Sequence, residues 1–311
     1  MRPFLTRLAL FLVLLGILQE FVGRWAPPPI ERQLDELATL RPSLLFLGDS
    51  SVFRSDLKDV DHRSTAVMLG ERRNVTVGSL MGGAQTADLW RHEVRDLLRR
   101  GARFDAVVGV INLRSFSPGW DLEPGYQFTA ERAFLSLPPY LRPFLKPLVV
   151  FGVVDLQPVQ ETGFGNALVY DGTKGVGQVR DYALAGPASE RERRMLLFFY
   201  MAKLRADHRK LRSLAELADL LREARVRLLL YVSPIDVEKG TVALGPHFRR
   251  QIDENVGTIE RALVPRGAEV LDLCCLLPDS HFSYQEYPNE HLTAAGRMAV
   301  ADALAAKLGS P

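Results

Sequence analysis

The chain has 311 residues, 47% hydrophobic and 24% charged, which is enough apolar material for a sizeable core. Its 39 basic and 37 acidic residues are spread through the sequence to a net charge of +2, which excludes the basic face that nucleic-acid binding requires. The two cysteines, Cys274 and Cys275, are adjacent; they match no metal-ligand spacing and cannot bridge each other without strain, so no metal is expected.

At the N-terminus, Arg2 and Arg7 precede an uncharged apolar run from Leu8 to Leu18, followed by Gln19, Glu20 and Trp25. Those 11 uninterrupted residues fall short of the ~20 of an ideal membrane span, and no small-x-small cleavage site follows them. Counted from Pro3 to Trp25, the segment is long enough to cross if Arg7 snorkels and Trp25 sits at the far interface. Residues 1–26 are therefore expected to form an uncleaved signal-anchor, with the bulk of the chain extracytoplasmic, periplasmic or at the cell surface. The competing expectation is an amphipathic helix lying on a membrane or packed on the domain. Residues 27–42, opened by the Pro-rich stretch APPPI, read as a linker.

Short apolar runs then alternate with helical patterns. The runs are SLLFLGD (43–49), NVTVGSL (74–80), FDAVVGVINL (104–113), VRLLLYVSP (226–234) and AEVLDLC (268–274). Continuous Val/Leu runs of this length predict parallel strands covered on both faces. Helical spacing of apolar residues appears in TADLWRHEVRDLLRRGA, in the long stretch beginning ERERRMLLFF, and in TAAGRMAVADALAAKL at the C-terminus. The alternation predicts a three-layer α/β/α domain over 43–311 with a mostly parallel five-stranded sheet. One insertion at about 114–190, rich in Pro, Gly and aromatic residues, does not fit the alternation and reads as a cap.

In open α/β sheets ligands gather beyond the carboxyl ends of the strands. Gly48-Asp49-Ser50-Ser51 falls there after the first strand, where a serine is either a helix cap or a nucleophile beside oxyanion-stabilising N–H groups. After the second strand, Gly82 or Gly83 lets a backbone N–H approach a substrate oxygen, and after the third, Asn112 offers an amide donor. In the loop before the last helix, His291 can take a serine proton and return it to a leaving group. His62, His92, His208 and His247 are scattered through polar or helical stretches with no metal-binding spacing.

Taken together, LGDSS, MGGAQTAD, VIN and EHLTAAG resemble, in order, the four blocks of the SGNH, or GDSL-type, hydrolase superfamily. The resemblance covers the chain from about residue 43 to its end, apart from the insertion, and implies a flavodoxin-like fold that needs no cofactor. It implies Ser50 as nucleophile, His291 as general base, and Gly83 and Asn112 as oxyanion donors beside the Ser50 N–H. Gly83 is preferred to Gly82 by its spacing from Thr86-Ala87. One departure concerns the acid that orients the histidine: the family's aspartate position holds Pro288. The nearby substitutes are Glu286, Glu290 and Asp279, and Glu286 is preferred because Glu290 adjoins His291 and turns back on its ring with difficulty. The stretch DSHF (279–282) is also similar to an Asp-x-His element of alginate-acetylating relatives, but only His291 is followed by the Leu-Thr and helix pattern.

The resemblance implies acyl ester chemistry on a cell-envelope carbohydrate through an acyl-enzyme on Ser50, either hydrolysed or transferred. An acyl ester or acylated carbohydrate is then the substrate, and a membrane-bound O-acyltransferase the implied partner. The alternative is a catalytically silent relative that binds carbohydrate or scaffolds such an acyltransferase, which the missing aspartate favours.

Overall fold

The computed structural model describes residues 2–25, 29–55, 58–121, 126–138, 141–142, 188–283 and 290–309. Most of the expected insertion, and Glu286 and Pro288 with it, lies outside the described residues.

In chain order the elements are α1 (Arg2–Trp25), α2 (Pro29–Leu40), β1 (Leu44–Gly48), α3 (Ser50–Phe53), α4 (Thr65–Arg73), β2 (Val77–Met81), α5 (Ala87–Arg99) and β3 (Ala106–Ile111). After β3 come the 3-10 turn Leu113–Phe116, α6 (Pro118–Asp121), α7 (Thr129–Ser136), α8 (Ala188–Tyr200), α9 (Arg209–Glu223) and β4 (Arg227–Val232). The chain then continues through α10 (Val237–Leu244), α11 (Pro246–Leu263), β5 (Ala268–Asp272) and α12 (Ala294–Leu308). The five strands pair in the order β2-β1-β3-β4-β5, every pair parallel. This is the α/β sheet flanked by helices that the alternation predicts.

Burial along the strands follows their place in the sheet. In β1 and β3 every residue is buried, because helices cover both faces of a central parallel strand. The edge strand β2 alternates half-buried and buried positions, and β5 is half-buried through its middle.

Two N-terminal expectations meet the structure differently. Within 27–42, read as a linker, α2 packs Ile30, Leu34 and Leu37 into the core. Its contact with β2 is so close that a Cβ on Gly78 would lie 2.6 Å from Pro42 and 2.7 Å from Leu37. The linker is thus a docked helix: its apolar residues recur at helical spacing behind the prolines, and the prolines masked that pattern. As for α1, no helix among the described residues is long and apolar enough to cross a membrane. The signal-anchor finds no span there, for the reason visible in the sequence: the apolar run is broken by Gln19 and Glu20 after 11 residues. The helix exposes Phe4, Leu8, Phe11, Val13, Ile17 and Phe21.

Candidate active site

Strand order brings three loops together. β1 is central, and its neighbours β2 and β3 end level with it, Gly48 pairing with Met81 and Leu47 with Gly109. The residues that follow these strands, Asp49-Ser50, Gly82-Gly83 and Asn112, therefore emerge side by side at one edge of the sheet. The chain leaves β1 for β2 on one side and then crosses from β2 over β1 to β3 on the other, and such a reversal of direction is where open α/β sheets bind ligands.

At the end of β1 the two serines separate in role. Asp49 is the N-cap of α3, its carboxylate accepting from the Ser51 N–H at 2.9 Å and from the Ser51 hydroxyl at 2.5 Å. Ser51 is thereby buried and committed to the cap. Ser50 Oγ instead lies 3.1 Å from His291 Nε2, across 241 residues of sequence. Burial, reinforced by the positive charges of Arg114 and Arg54, pulls the imidazole down to about 4, so the ring is neutral at ordinary pH. With its proton on Nδ1, the neutral ring can accept the serine hydroxyl at Nε2, the state a general base requires.

His291 is held by its own loop and the helix after it, which are tied in turn to residues far away in sequence. The chain after β5 doubles back: Ser283 N–H donates to His291 O at 2.8 Å, Thr293 N–H donates to His281 O at 2.9 Å, and Phe282 bridges Leu292. The fully buried Arg297 of α12 clamps this turn. It donates to Leu292 O at 2.7 Å and Arg63 O at 2.9 Å, meets Asp59 at 3.1 Å, and donates to Asp61 O. The ring thus reaches Ser50 because α12 and the loop before α4 are locked together.

The side where the sequence places the oxyanion donors is built on short range. Asn112 caps the 3-10 turn, its Oδ1 accepting from the Arg114 N–H at 3.0 Å, so its NH2 faces the other way and lies 3.4 Å from Asp49 Oδ2. Beneath the turn, the buried Lys210 donates to Ser115 O at 2.6 Å, and burial draws its ammonium down to about 8. Gly83 sits exposed in the turn after β2, with nothing within 4 Å of where a Cβ would be. A Cβ on Gly82 would instead lie 3.0 Å from the Gln85 side chain. The open side of the turn is therefore at Gly83.

Of the acids considered for His291, Glu290 is committed elsewhere. It is wholly buried, receives the Tyr200 hydroxyl, and pairs with Arg114 at 2.9 Å. Asp279 helps to raise the Asp236 carboxyl and lies 3.7 Å from Lys239 Nζ, beside a surface cleft of about 330 Å³ that includes neither Ser50 nor His291 in its lining. The Asp279-x-His281 element is therefore not the one at Ser50. A cavity of about 20 Å³ behind Asp49 and Asn112, lined also by Thr86, Trp90 and Lys210, holds little more than a water and is too small for substrate. His92 and His208, read as bland in the sequence, are away from Ser50: His92 meets Arg91 and Ser136, and His208 caps α9.

Arg114, Tyr200, Lys210 and Arg297 are the residues that sequence reasoning missed. Arg114 and Arg297 follow the Asn112 and His291 blocks closely. Tyr200 and Lys210 stand in an amphipathic stretch that signals only helix.

No protein-family model matches the chain, and no curated protein does either. Among solved structures it is similar to a catalytic mutant of an acetylxylan esterase from Geobacillus stearothermophilus, at 13% identity and a TM-score of 0.42, over 87% of this chain and 95% of that one. It is also similar to an α/β hydrolase from the metagenome of Lake Arreo, Spain, at 11% identity and a TM-score of 0.42, over 86% and 94% of the two chains. A carbohydrate acetylesterase from Sinorhizobium meliloti matches at 9% identity and a TM-score of 0.35, over 85% and 97%.

Proposed function

We propose that this chain is a serine-dependent acyl ester enzyme acting on acylated carbohydrate, of the SGNH type that its four blocks resemble. The observation that carries the reading is the 3.1 Å contact between Ser50 Oγ and His291 Nε2. In the proposed reaction Ser50 Oγ attacks the acyl carbonyl while His291 Nε2 takes the hydroxyl proton. The backbone N–H groups of Ser50 and Gly83 and the Asn112 amide receive the developing oxyanion. His291 returns its proton to the departing alcohol, leaving the acyl group on Ser50. Water or a sugar hydroxyl then attacks the acyl-enzyme, with His291 as base again. Glu286 is proposed as the carboxylate that orients the ring and stabilises the imidazolium.

The second part of the proposal is location. An anchored domain on the extracytoplasmic face, next to a membrane-bound O-acyltransferase, would act on envelope carbohydrate. Support comes from α1, whose exposed apolar side chains occupy successive positions from Leu10 to Leu15.

A fluorophosphonate probe followed by intact mass and peptide mapping tests the chemistry: one adduct, on Ser50, is expected. A chain that takes no adduct yet binds envelope polysaccharide would establish the silent, scaffolding alternative. Retention of the full chain in carbonate-washed membranes tests the location, and release into the wash overturns it.

A further inference from the structure

Glu290 is a fully buried carboxylate whose partners come from two separate elements. It receives the Tyr200 hydroxyl at the end of α8 and pairs with Arg114 of the 3-10 turn at 2.9 Å, and the Asn112 side-chain amide favours its charged form. Arg114 is itself buried, its guanidinium 4.6 Å from the centre of the Trp120 ring and 5.6 Å from that of Phe199. So large a desolvated arrangement in place of an apolar core is costly unless it is fully paired. Its neighbours are the proposed oxyanion donor on one side and the proposed base, the very next residue, on the other.

We infer that Glu290 is a positioning residue for the oxyanion donor: with Arg114 it fixes the rotation of the Asn112 amide and registers that donor to His291. The amide has one acceptor and two hydrogens. Its oxygen is taken by the Arg114 N–H at 3.0 Å, which fixes the direction of the NH2. The NH2 meets Asp49 Oδ2 only at 3.4 Å, a long contact readily exchanged for a charge-assisted bond to an oxyanion, and the same amide favours the charged form of Glu290. An unpaired carboxylate here would oppose the oxyanion, and the Arg114 guanidinium offsets that charge. Because Glu290 and His291 are consecutive, any shift of the histidine turn is transmitted to the donor.

This inference rests on the serine reading, so the test begins with the wild-type chain. Absence of a fluorophosphonate adduct on Ser50 overturns that reading and the inference with it. Where the adduct forms, steady-state hydrolysis of p-nitrophenyl acetate is measured for a double-mutant cycle. Asn112→Ala sets the scale of the donor, ~10²-fold in kcat. Glu290→Gln is expected to lower kcat ~10-fold with KM changed less than about twofold. In the Asn112→Ala background the same change is expected to cost less than about twofold, since nothing is left to position. A kcat unchanged in Glu290→Gln, or losses that multiply in the double variant, overturns the inference and leaves the serine reading standing. If Glu290→Gln fails to fold, Tyr200→Phe is read in the same cycle, because it removes one donor and keeps the charge pair. It is expected to cost ~3-fold alone and nothing beside Asn112→Ala. Equal losses in both backgrounds overturn the inference.

Discussion

The two halves of the proposed catalytic contact are built in opposite ways. Ser50 is placed by its own neighbours: β1 runs into the Asp49 cap, whose carboxylate holds the N–H and hydroxyl of a residue two positions on. His291 is placed partly by Ser283 and Arg297 of its own loop and following helix, and partly by distant groups: the carbonyl oxygens of residues 61 and 63 and, through Glu290, Tyr200 and Arg114. A nucleophile on a strand-to-helix turn keeps its position as long as the strand is paired. A base on a doubled-back loop keeps its position only while several buried polar groups all remain satisfied. The histidine side is therefore where substitution outside the site is expected to matter.

The largest expected effect separates the two serines. Ser50→Ala should remove fluorophosphonate labelling and at least ~10⁴-fold of the esterase rate, as loss of a nucleophile does in serine enzymes. Ser51→Ala removes only a hydroxyl bond within the cap and should retain most of both, with a stability cost near ~1 kcal/mol. Equal losses from the two would show that the cap, rather than the nucleophile, is being read.

Next in size is Arg297→Met, which breaks the histidine side without touching the site. The substitution strands the carbonyl oxygens of Leu292, Arg63 and Asp61 and the Asp59 carboxylate, all satisfied by one buried guanidinium. The expected loss is about 3–5 kcal/mol of unfolding free energy, the scale of breaking a buried charge pair. Urea titration with an unchanged slope checks it. A loss below ~1 kcal/mol would mean that the loop is held mainly by its backbone bridge.

For the orienting acid, Glu286→Gln is expected to reduce turnover at least ~10²-fold with little effect on substrate binding. Asp279→Asn should do much less, since Asp279 is engaged with Asp236 and Lys239. Full activity in Glu286→Gln with His291→Ala inactive would reveal a Ser-His dyad with the ring oriented by a backbone carbonyl.

The same contrast explains what was legible in sequence. The interior strands β1, β3 and β4 are nearly continuous apolar runs, so a parallel sheet and the Gly48–Ser51 turn are legible directly, whereas the strand order is not. Ser50 and Asn112 fall at strand ends for the same reason. By contrast, α2 reads as a linker in sequence because prolines open it, although Ile30, Leu34 and Leu37 recur at helical spacing and pack into the core. Glu290 was weighed only as a partner for its neighbour's ring. Sequence adjacency could not show that its carboxylate pairs instead with Arg114, 176 positions earlier, and Tyr200, 90 positions earlier. Buried ion pairs between distant elements have no local pattern, unlike apolar periodicity, and both sides of this network carry residues common on any surface.

The smallest expected effect is a shift in pH dependence, and it sharpens the comparison by perturbing His291 from the Ser50 side. Burial, Arg114 and Arg54 hold the imidazole down to about 4, and Arg54 lies just past α3, the helix that begins with Ser50. Because the base must be neutral, kcat/KM should be flat near neutrality and fall as pH drops through about 4. The stability sign runs the same way: an unfolded histidine takes up a proton below about 6.5, while the native ring does so only near 4, so stability declines as pH falls through that window. Arg54→Gln removes a cation that disfavours the imidazolium. The native ring should then protonate more readily, and the acid limb should move to higher pH. Arg54 is exposed, so water and salt screen its charge and the shift should be only a few tenths of a unit, as a single solvent-facing charge would give. Raising ionic strength should move the wild-type limb in the same direction and leave Arg54→Gln nearly still. A limb that moves down, or moves equally with salt in both chains, would show that Arg54 does not act on His291 through charge. The histidine would then be tuned only by its burial and Arg114, and the Ser50 side would contribute nothing to its basicity.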